Sequence, residues 1–233
     1  SRHMTVDLLG FGPHPDDIEI GAGGTIAKQV RQGHQVGLCD LTRGELGSNG
    51  TVDDRLVEAT AAANVLGVAW RENLEWPDGE IGGADQVRSA AELVRRCRPA
   101  TVLIPHWADR HPDHVAASQA LTAAVFKSGL RRYDAAGDAW RPDWICYYFI
   151  NDAVSPSFVV DVSDDCDAKR RALDSHGSQF APDAEGAVST RLTTPRFRRM
   201  IEARDEGFGV SAGVAFAEGF VVREPIVRSD VMK

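Results

Sequence analysis

The feature that most constrains the fold is a repeated alternation of short apolar runs with longer stretches of helical periodicity across the first 127 residues. Val6 to Phe11 is apolar apart from Asp7 and Gly10 and reads as a strand covered on both faces. Ile18 to Arg31 places Ile18, Ala22, Ile26 and Val30 at helical spacing, with Gly33 as the expected C-cap. Gln35 to Leu41 is the next strand, Thr42 to Thr51 a glycine-rich polar loop, and Val52 to Leu66 an Ala-rich helix closed by Gly67. Val68 to Trp76 reads as a strand and Asp85 to Cys97 as a helix stopped by Pro99. Ala100 to Pro105 is then a strand, and Pro112 to Lys127 a helix with Pro in its first turn.

This order predicts a mostly parallel sheet with helices on both faces, an α/β, Rossmann-like architecture. In such sheets ligands bind beyond the carboxyl ends of the strands. After Ser128 the pattern weakens. Trp144 to Ile150 and Ser157 to Val162 read as strands, Asp165 to Leu173 and Pro195 to Asp205 as helices, and Val214 to Val222 as a late strand. Ser175 to Thr194, rich in Gly, Ser, Asp and Thr, reads as a mobile loop. No repeat or linker demands a second domain, so the 233 residues are expected to form one. Ser1-Arg2-His3 ahead of Met4 reads as a remnant of expression tagging, and His3 is left out of metal considerations.

The net charge of −8 argues against a nucleic-acid partner, which would require a basic face. No apolar run approaches the roughly 20 residues of a membrane helix, and the N-terminus lacks a signal-peptide core. Cys39, Cys97, Cys146 and Cys166 are scattered without a C-x-x-C pair, which suits buried thiols in a reducing cytoplasm.

Two motifs carry chemistry. His14-Pro15-Asp16-Asp17 follows the first apolar run, and His111-Pro112-Asp113-His114 follows the run ending at Pro105. A catalytic zinc typically takes three protein ligands and keeps one position open. His14 and Asp17, three apart, can face one point, and His114 can complete the set. Asp16, beside a ligand but not needed as one, is placed to act as general base. His111 lies about one helical turn before His114 and can donate to an oxyanion or a leaving amine. Asp113 can fix the tautomer of a neighbouring imidazole. Alone, either motif is more often a turn or a helix cap; both together, at strand ends of one sheet, point to a site for amide hydrolysis.

Two alternatives fit less well. Gly10-Phe11-Gly12 and Asp40 give a passing likeness to a dinucleotide fold, but Pro15 stands where the third glycine belongs. Asp16 and Asp17 would also oppose a pyrophosphate there. Two His and one carboxylate also describe non-haem Fe(II) oxygenases, typically all-β; Zn2+ is the expected metal, and Fe2+ could still occupy a hydrolase site of this kind. A metal- or sugar-binding module without turnover would need neither Asp16 nor His111.

The chain resembles the PIG-L/LmbE-like N-acetylglucosamine deacetylases, most of all those of the bacillithiol pathway that act on N-acetylglucosaminyl malate. The likeness runs through Gly12 to Asp17, Leu41-Thr42-Arg43-Gly44-Glu45, Arg55 to Glu58, Trp76-Pro77-Asp78-Gly79 and His111 to His114, and on to Ser178-Gln179 and Ala217-Glu218-Gly219-Phe220. It implies His14, Asp17 and His114 as zinc ligands, Asp16 as base, His111 as proton donor with Asp113 as its partner, and Arg55 and Asp78 as sugar-holding residues. It departs from the family in Pro13, where Ala is usual, and in Arg204 to Gly209, which lacks an aromatic-rich pattern. A malate aglycone would bring two carboxylates, for which Arg43, Arg55, Arg110 and Lys127 are candidate partners. Other amino-sugar conjugates, including a mycothiol-type glycoside and N-acetylglucosamine itself, are the alternative substrates, and relatives suggest a homo-oligomer.

Overall fold

The apolar runs form strands β1 (Leu8–Gly12), β2 (Val36–Thr42), β3 (Trp70–Trp76), β4 (Thr101–Pro105) and β5 (Trp144–Tyr148), followed by β6 (Phe158–Asp161) and β7 (Ala217–Val221). The computed structural model describes residues 5–182 and 185–232; Ser1-Arg2-His3 lies outside them, as does part of the Ser175 to Thr194 segment. All seven strands make one sheet in the order β3-β2-β1-β4-β5-β7-β6. The first five pair in parallel, and β7 is antiparallel to both β5 and β6.

Alternate residues of the strands feed two cores. Leu9, Phe11, Cys39, Leu41, Val102 and Ile104 pack on one face, under α3 (Ala84–Cys97) and α4 (Pro112–Ser128). Leu8, Val36, Leu38, Leu103 and Tyr148 pack on the other, under α1 (Asp17–Arg31), α2 (Val52–Leu66), α5 (Cys166–Asp174) and α7 (Pro195–Ala212). A strand with helices over both faces must be apolar on both, which is why the inner runs show no polar alternation, whereas the edge strand β3 carries Arg71, Glu72, Asn73 and Glu75.

Strand ends differ from the expectations by up to three residues, and three differences involve helices. α7 runs seven residues beyond Asp205, through Gly207 and Gly209. At Gly209 the Ala215 carbonyl oxygen lies 2.6 Å from where a Cβ would stand, so close packing holds the helix where propensity would end it. The Ser175 to Thr194 segment contains a one-turn helix, α6 (Gly177–Phe180), whose Ser178 amide and hydroxyl donate to Glu58 of α2. The C-cap of α1 is Gln32, with Gly33 in a left-handed turn after it. Among the described residues no helix is long and apolar enough to cross a membrane.

The sheet reverses its winding between β1 and β4: β2 and β3 extend one way and β5 the other. The crevice at that point, beyond the carboxyl ends, is where an open α/β sheet accommodates a ligand. Both His/Asp motifs emerge there, one after β1 and one after β4.

Candidate active site

The motif after β1 turns directly into α1, with Asp16 as N-cap and Asp17 in the first turn. The motif after β4 is the N-terminus of α4. His111 is its N-cap and accepts from the Asp113 amide through Nδ1 at 3.2 Å, with Pro112 in the first turn. Residues 97 apart in sequence, His14 and His111, thereby bring their rings to a centroid distance of 5.0 Å.

Asp17 Oδ2 sits between two imidazoles, 3.0 Å from His14 Nδ1 and 3.4 Å from His114 Nε2. The opposite nitrogen of each ring meets other carboxylates. His14 Nε2 is 3.1 Å from Asp78 Oδ1 and 3.2 Å from Asp113 Oδ2, and His114 Nδ1 is 3.0 Å from Asp109 Oδ1. Carboxylates only accept, so the outer nitrogens donate to Asp78, Asp113 and Asp109 while the inner nitrogens face Asp17, and against the lowering effect of burial these carboxylates push both imidazoles up. Two inward-facing imidazole nitrogens and a carboxylate oxygen form a donor set in which a cation would take the place of the inward hydrogens. Ligand atoms bound at 2.0–2.2 Å around a tetrahedral metal stand about 3.3 Å apart, close to the two separations from Asp17 Oδ2. The outer carboxylates form the carboxylate–histidine arrangement that orients metal-binding imidazoles. The donor chemistry therefore fits a divalent metal.

Two donor sets have all their ligand atoms within 4.8 Å of one another, His14 with His111 and His114, and His14 with Asp78 and Asp113, and neither includes Asp17. In the first, His111 already uses Nδ1 as a helix cap. In the second, the carboxylates meet the hydrogen-bearing side of the His14 ring.

Electrostatics separates the neighbouring acids. Burial pushes the Asp16 carboxyl up, and the Arg55 guanidinium, 3.4 Å away, opposes that shift. Asp16 Oδ2 is buried with no hydrogen-bond partner. Burial acts on Asp17 in the same sense, but the rings of His114 and His14 hold it well below the usual carboxylate range. Burial lowers His111, helped by the neighbouring histidines, so its ring is neutral with the hydrogen on Nε2.

Arg55 is buried, and besides Asp16 it donates to the Gly44 carbonyl at 3.2 Å. A Cβ on Gly44, at φ 65°, would lie 1.9 Å from Arg55 Nη1, so the loop approaches this closely only with glycine there. Asp53 and Asp54, acidic neighbours of Arg55 in the first turn of α2, form no ion pair with it; Asp54 closes a capping box with Thr51.

The cleft encloses about 680 Å³ and is walled by His14, Asp16, Asp17, Arg55, Asp78, Arg110, Asp113 and both histidines of the second motif. Arg43 is not brought to it. It lies across Pro15 in a separate small depression with Glu72 and Glu75. Lys127 is at the far end of α4, about 20 Å along the axis from His114, with its ammonium over the Tyr133 ring. The Asp113 carboxylate faces His14, and only its amide meets His111. Asp40, the residue behind the dinucleotide likeness, is bound in bidentate fashion by Arg71 and has no role in the cleft.

Sequence reasoning missed Asp109 and Asn151. Asp109 orients His114 and is itself held by the Asn151 amide and side chain at 2.9 and 3.0 Å. The available signal was positional: Asp109 shares the loop of the second motif, and Asn151 follows the apolar run of β5 at its carboxyl end. Arg191 and Gln179, from the segment read as a mobile loop, also line the cleft.

A doubly wound sheet with His and Asp side chains clustered at its switch point defines the class: an α/β protein whose donor chemistry there fits a divalent cation, beside a buried carboxylate. Residues 9–125 match the family model described as PIG-L, GlcNAc-PI de-N-acetylase. A diacetylchitobiose deacetylase of Thermococcus kodakarensis is 34% identical, covering 76% of this chain and 71% of that protein. A 1D-myo-inositol 2-acetamido-2-deoxy-alpha-D-glucopyranoside deacetylase of a Mycobacterium species is 29% identical, covering 81% and 80%. A conserved protein of Thermus thermophilus of solved structure superposes with a TM-score of 0.89 at 37% identity, covering 98% of this chain and 100% of that one. The chain belongs to the PIG-L family of LmbE-like deacetylases.

Proposed function

We propose that the protein hydrolyses the N-acetyl amide of an amino-sugar conjugate, releasing acetate and a free amine, with Zn2+ or Fe2+ held by His14, Asp17 and His114. The observation that carries this is Asp16, a buried carboxylate with an unpartnered oxygen lining the same cleft as the inward-facing imidazole nitrogens. A divalent ion bound there supplies Lewis-acid polarisation of the amide carbonyl and lowers the pKa of water to about 7. Asp16 accepts the proton of the attacking water, its basicity raised by burial and limited by Arg55. His111 presents Nε2–H to the oxyanion and then to the departing amine. Asp113 and Asp78 hold the His14 ring, and Asp109 holds His114. Asp78 and Arg55, both on the cleft wall, are assigned to the sugar.

The aglycone is proposed to be anionic, as in N-acetylglucosaminyl malate. The support is charge placement. Arg110 and Arg191 line the cleft as exposed guanidinia, and neither pairs with a carboxylate among the described residues. Relatives with diacetylchitobiose or an inositol glycoside in their names make those conjugates the alternatives. Acetate release from N-acetylglucosaminyl malate, diacetylchitobiose, the inositol glycoside and free N-acetylglucosamine tests both levels. The malate conjugate is expected to be preferred, and an Arg110→Ala, Arg191→Ala double variant to raise its KM while leaving neutral substrates unchanged. Equal turnover of all four removes the anionic-aglycone assignment. Asp16→Asn is expected to lose about 10²–10⁴ in kcat with the metal retained; full activity there removes the mechanism.

A further inference from the structure

One side chain outside the cleft joins the two halves of the donor set. Arg204, on α7, is only 8% exposed. Its Nη2 donates to the Ile20 carbonyl at 2.8 Å, and its Nη1 to the Ile150 carbonyl at 2.8 Å. Ile20 lies in the first turn of α1, three residues after Asp17. Ile150 directly precedes Asn151, the residue that holds Asp109 and through it His114. A planar guanidinium with fixed donor directions thus spans the α1 side and the β5 side of the site.

The next turn of α1 is gripped in a similar way. Gly24 and Thr25 donate their amides to Glu218 Oε1 and Oε2 at 2.8 and 2.7 Å. Glu218 is fully buried and also accepts from Lys169 Nζ at 2.9 Å, which donates in turn to Asp205 at 2.6 Å. Side chains inserted into a helix ladder set where that helix sits along its axis. Here they hold α1 immediately after the turn that carries Asp16 and Asp17.

We propose that Arg204 is a positioning residue for the metal centre: by bridging the Ile20 and Ile150 carbonyls it sets the spacing of Asp17 from His114. The proposal rests on the assignment of His14, Asp17 and His114 as ligands. Positioning groups of this kind are distinguished from ordinary core contacts by their effect on metal affinity.

The test compares wild type, Arg204→Met, Arg204→Lys and a core control, Val94→Ala, in the other face of the sheet. Zn2+ affinity is measured by competition with a chelating dye, and ligand geometry by the visible absorption of the Co2+-loaded protein. Arg204→Met is expected to weaken Zn2+ binding about tenfold or more and to alter the Co2+ bands. Arg204→Lys, with one donor head, is expected to fall between it and wild type. Val94→Ala is expected to lower the melting temperature with wild-type affinity and bands. Wild-type affinity and bands in folded Arg204→Met, or in Arg204→Lys should the Met variant not fold, overturn the proposal. An equal loss in Val94→Ala does the same. Wild-type protein that binds neither ion removes the ligand assignment beneath it.

Discussion

Asp16 and Asp17 are adjacent in sequence and equally removed from water, yet their carboxyls shift in opposite directions. The difference lies in what each one faces. Asp17 has two imidazoles at hydrogen-bond distance, whereas Asp16 has one guanidinium and an oxygen with no partner. The first environment suits a ligand and the second a base. Because Arg55 favours the ionised form of Asp16, its removal in Arg55→Met raises that carboxyl further. The acidic limb of kcat/KM is then expected to move to higher pH, since the base must be unprotonated to act; an unmoved limb would separate Arg55 from the base. Asp109→Ala removes the carboxylate that fixes the His114 tautomer. A loss of about 10–100-fold in Zn2+ affinity is expected, read by chelator competition, with far-UV circular dichroism preserved.

At the scale of elements, each half of the site is the start of a helix following a parallel strand, and local sequence specifies the start of α4. Pro112 pre-sets the first turn of α4 while His111 caps it. Thr51 and Asp54 make the capping box that starts α2, the helix that delivers Arg55. Thr51→Ala is expected to cost about 1 kcal/mol in urea unfolding. KM and kcat should change little if Arg55 keeps its hold on Gly44. The segment after α5 behaves differently from its composition. It reads as loop, but His176 just ahead of α6 is wholly buried and lies 2.9 Å from Glu19, which Arg71 also pairs with. That network ties α1, β3 and the segment before α6 together, and it places Gln179 on the cleft wall. Polar composition conceals such an anchor because the partners, Glu19 and Arg71, come from other elements.

For the molecule as a whole, burial of the thiols has a measurable consequence. Cys39 and Cys97 are fully buried and Cys146 is 2% exposed. Burial pushes the Cys97 and Cys146 thiols up to about 12, from an ordinary value of 9.0. Between those limits the unfolded chain releases protons that the folded chain keeps, so stability falls as pH rises. Each thiol contributes about 1.4 kcal/mol per pH unit to that slope, and a Cys97→Ala, Cys146→Ala variant should show a shallower one in urea titrations from pH 9 upward. At pH 8 a thiol-reactive dye is expected to label Cys166 in the native protein and the other three only after unfolding. The sequence by itself determined the strand–helix alternation, the sheet class, and the two His/Asp motifs at strand ends. Those features depend on local periodicity and on residue types within four positions of one another. Only the tertiary structure decided that Asp109 and Asn151 support His114, that Arg43 and Lys127 stand away from the cleft, and that α7 reaches Ala212. These depend on which strand ends become neighbours across the switch point, and on close packing that overrides propensity, neither of which is encoded at short range.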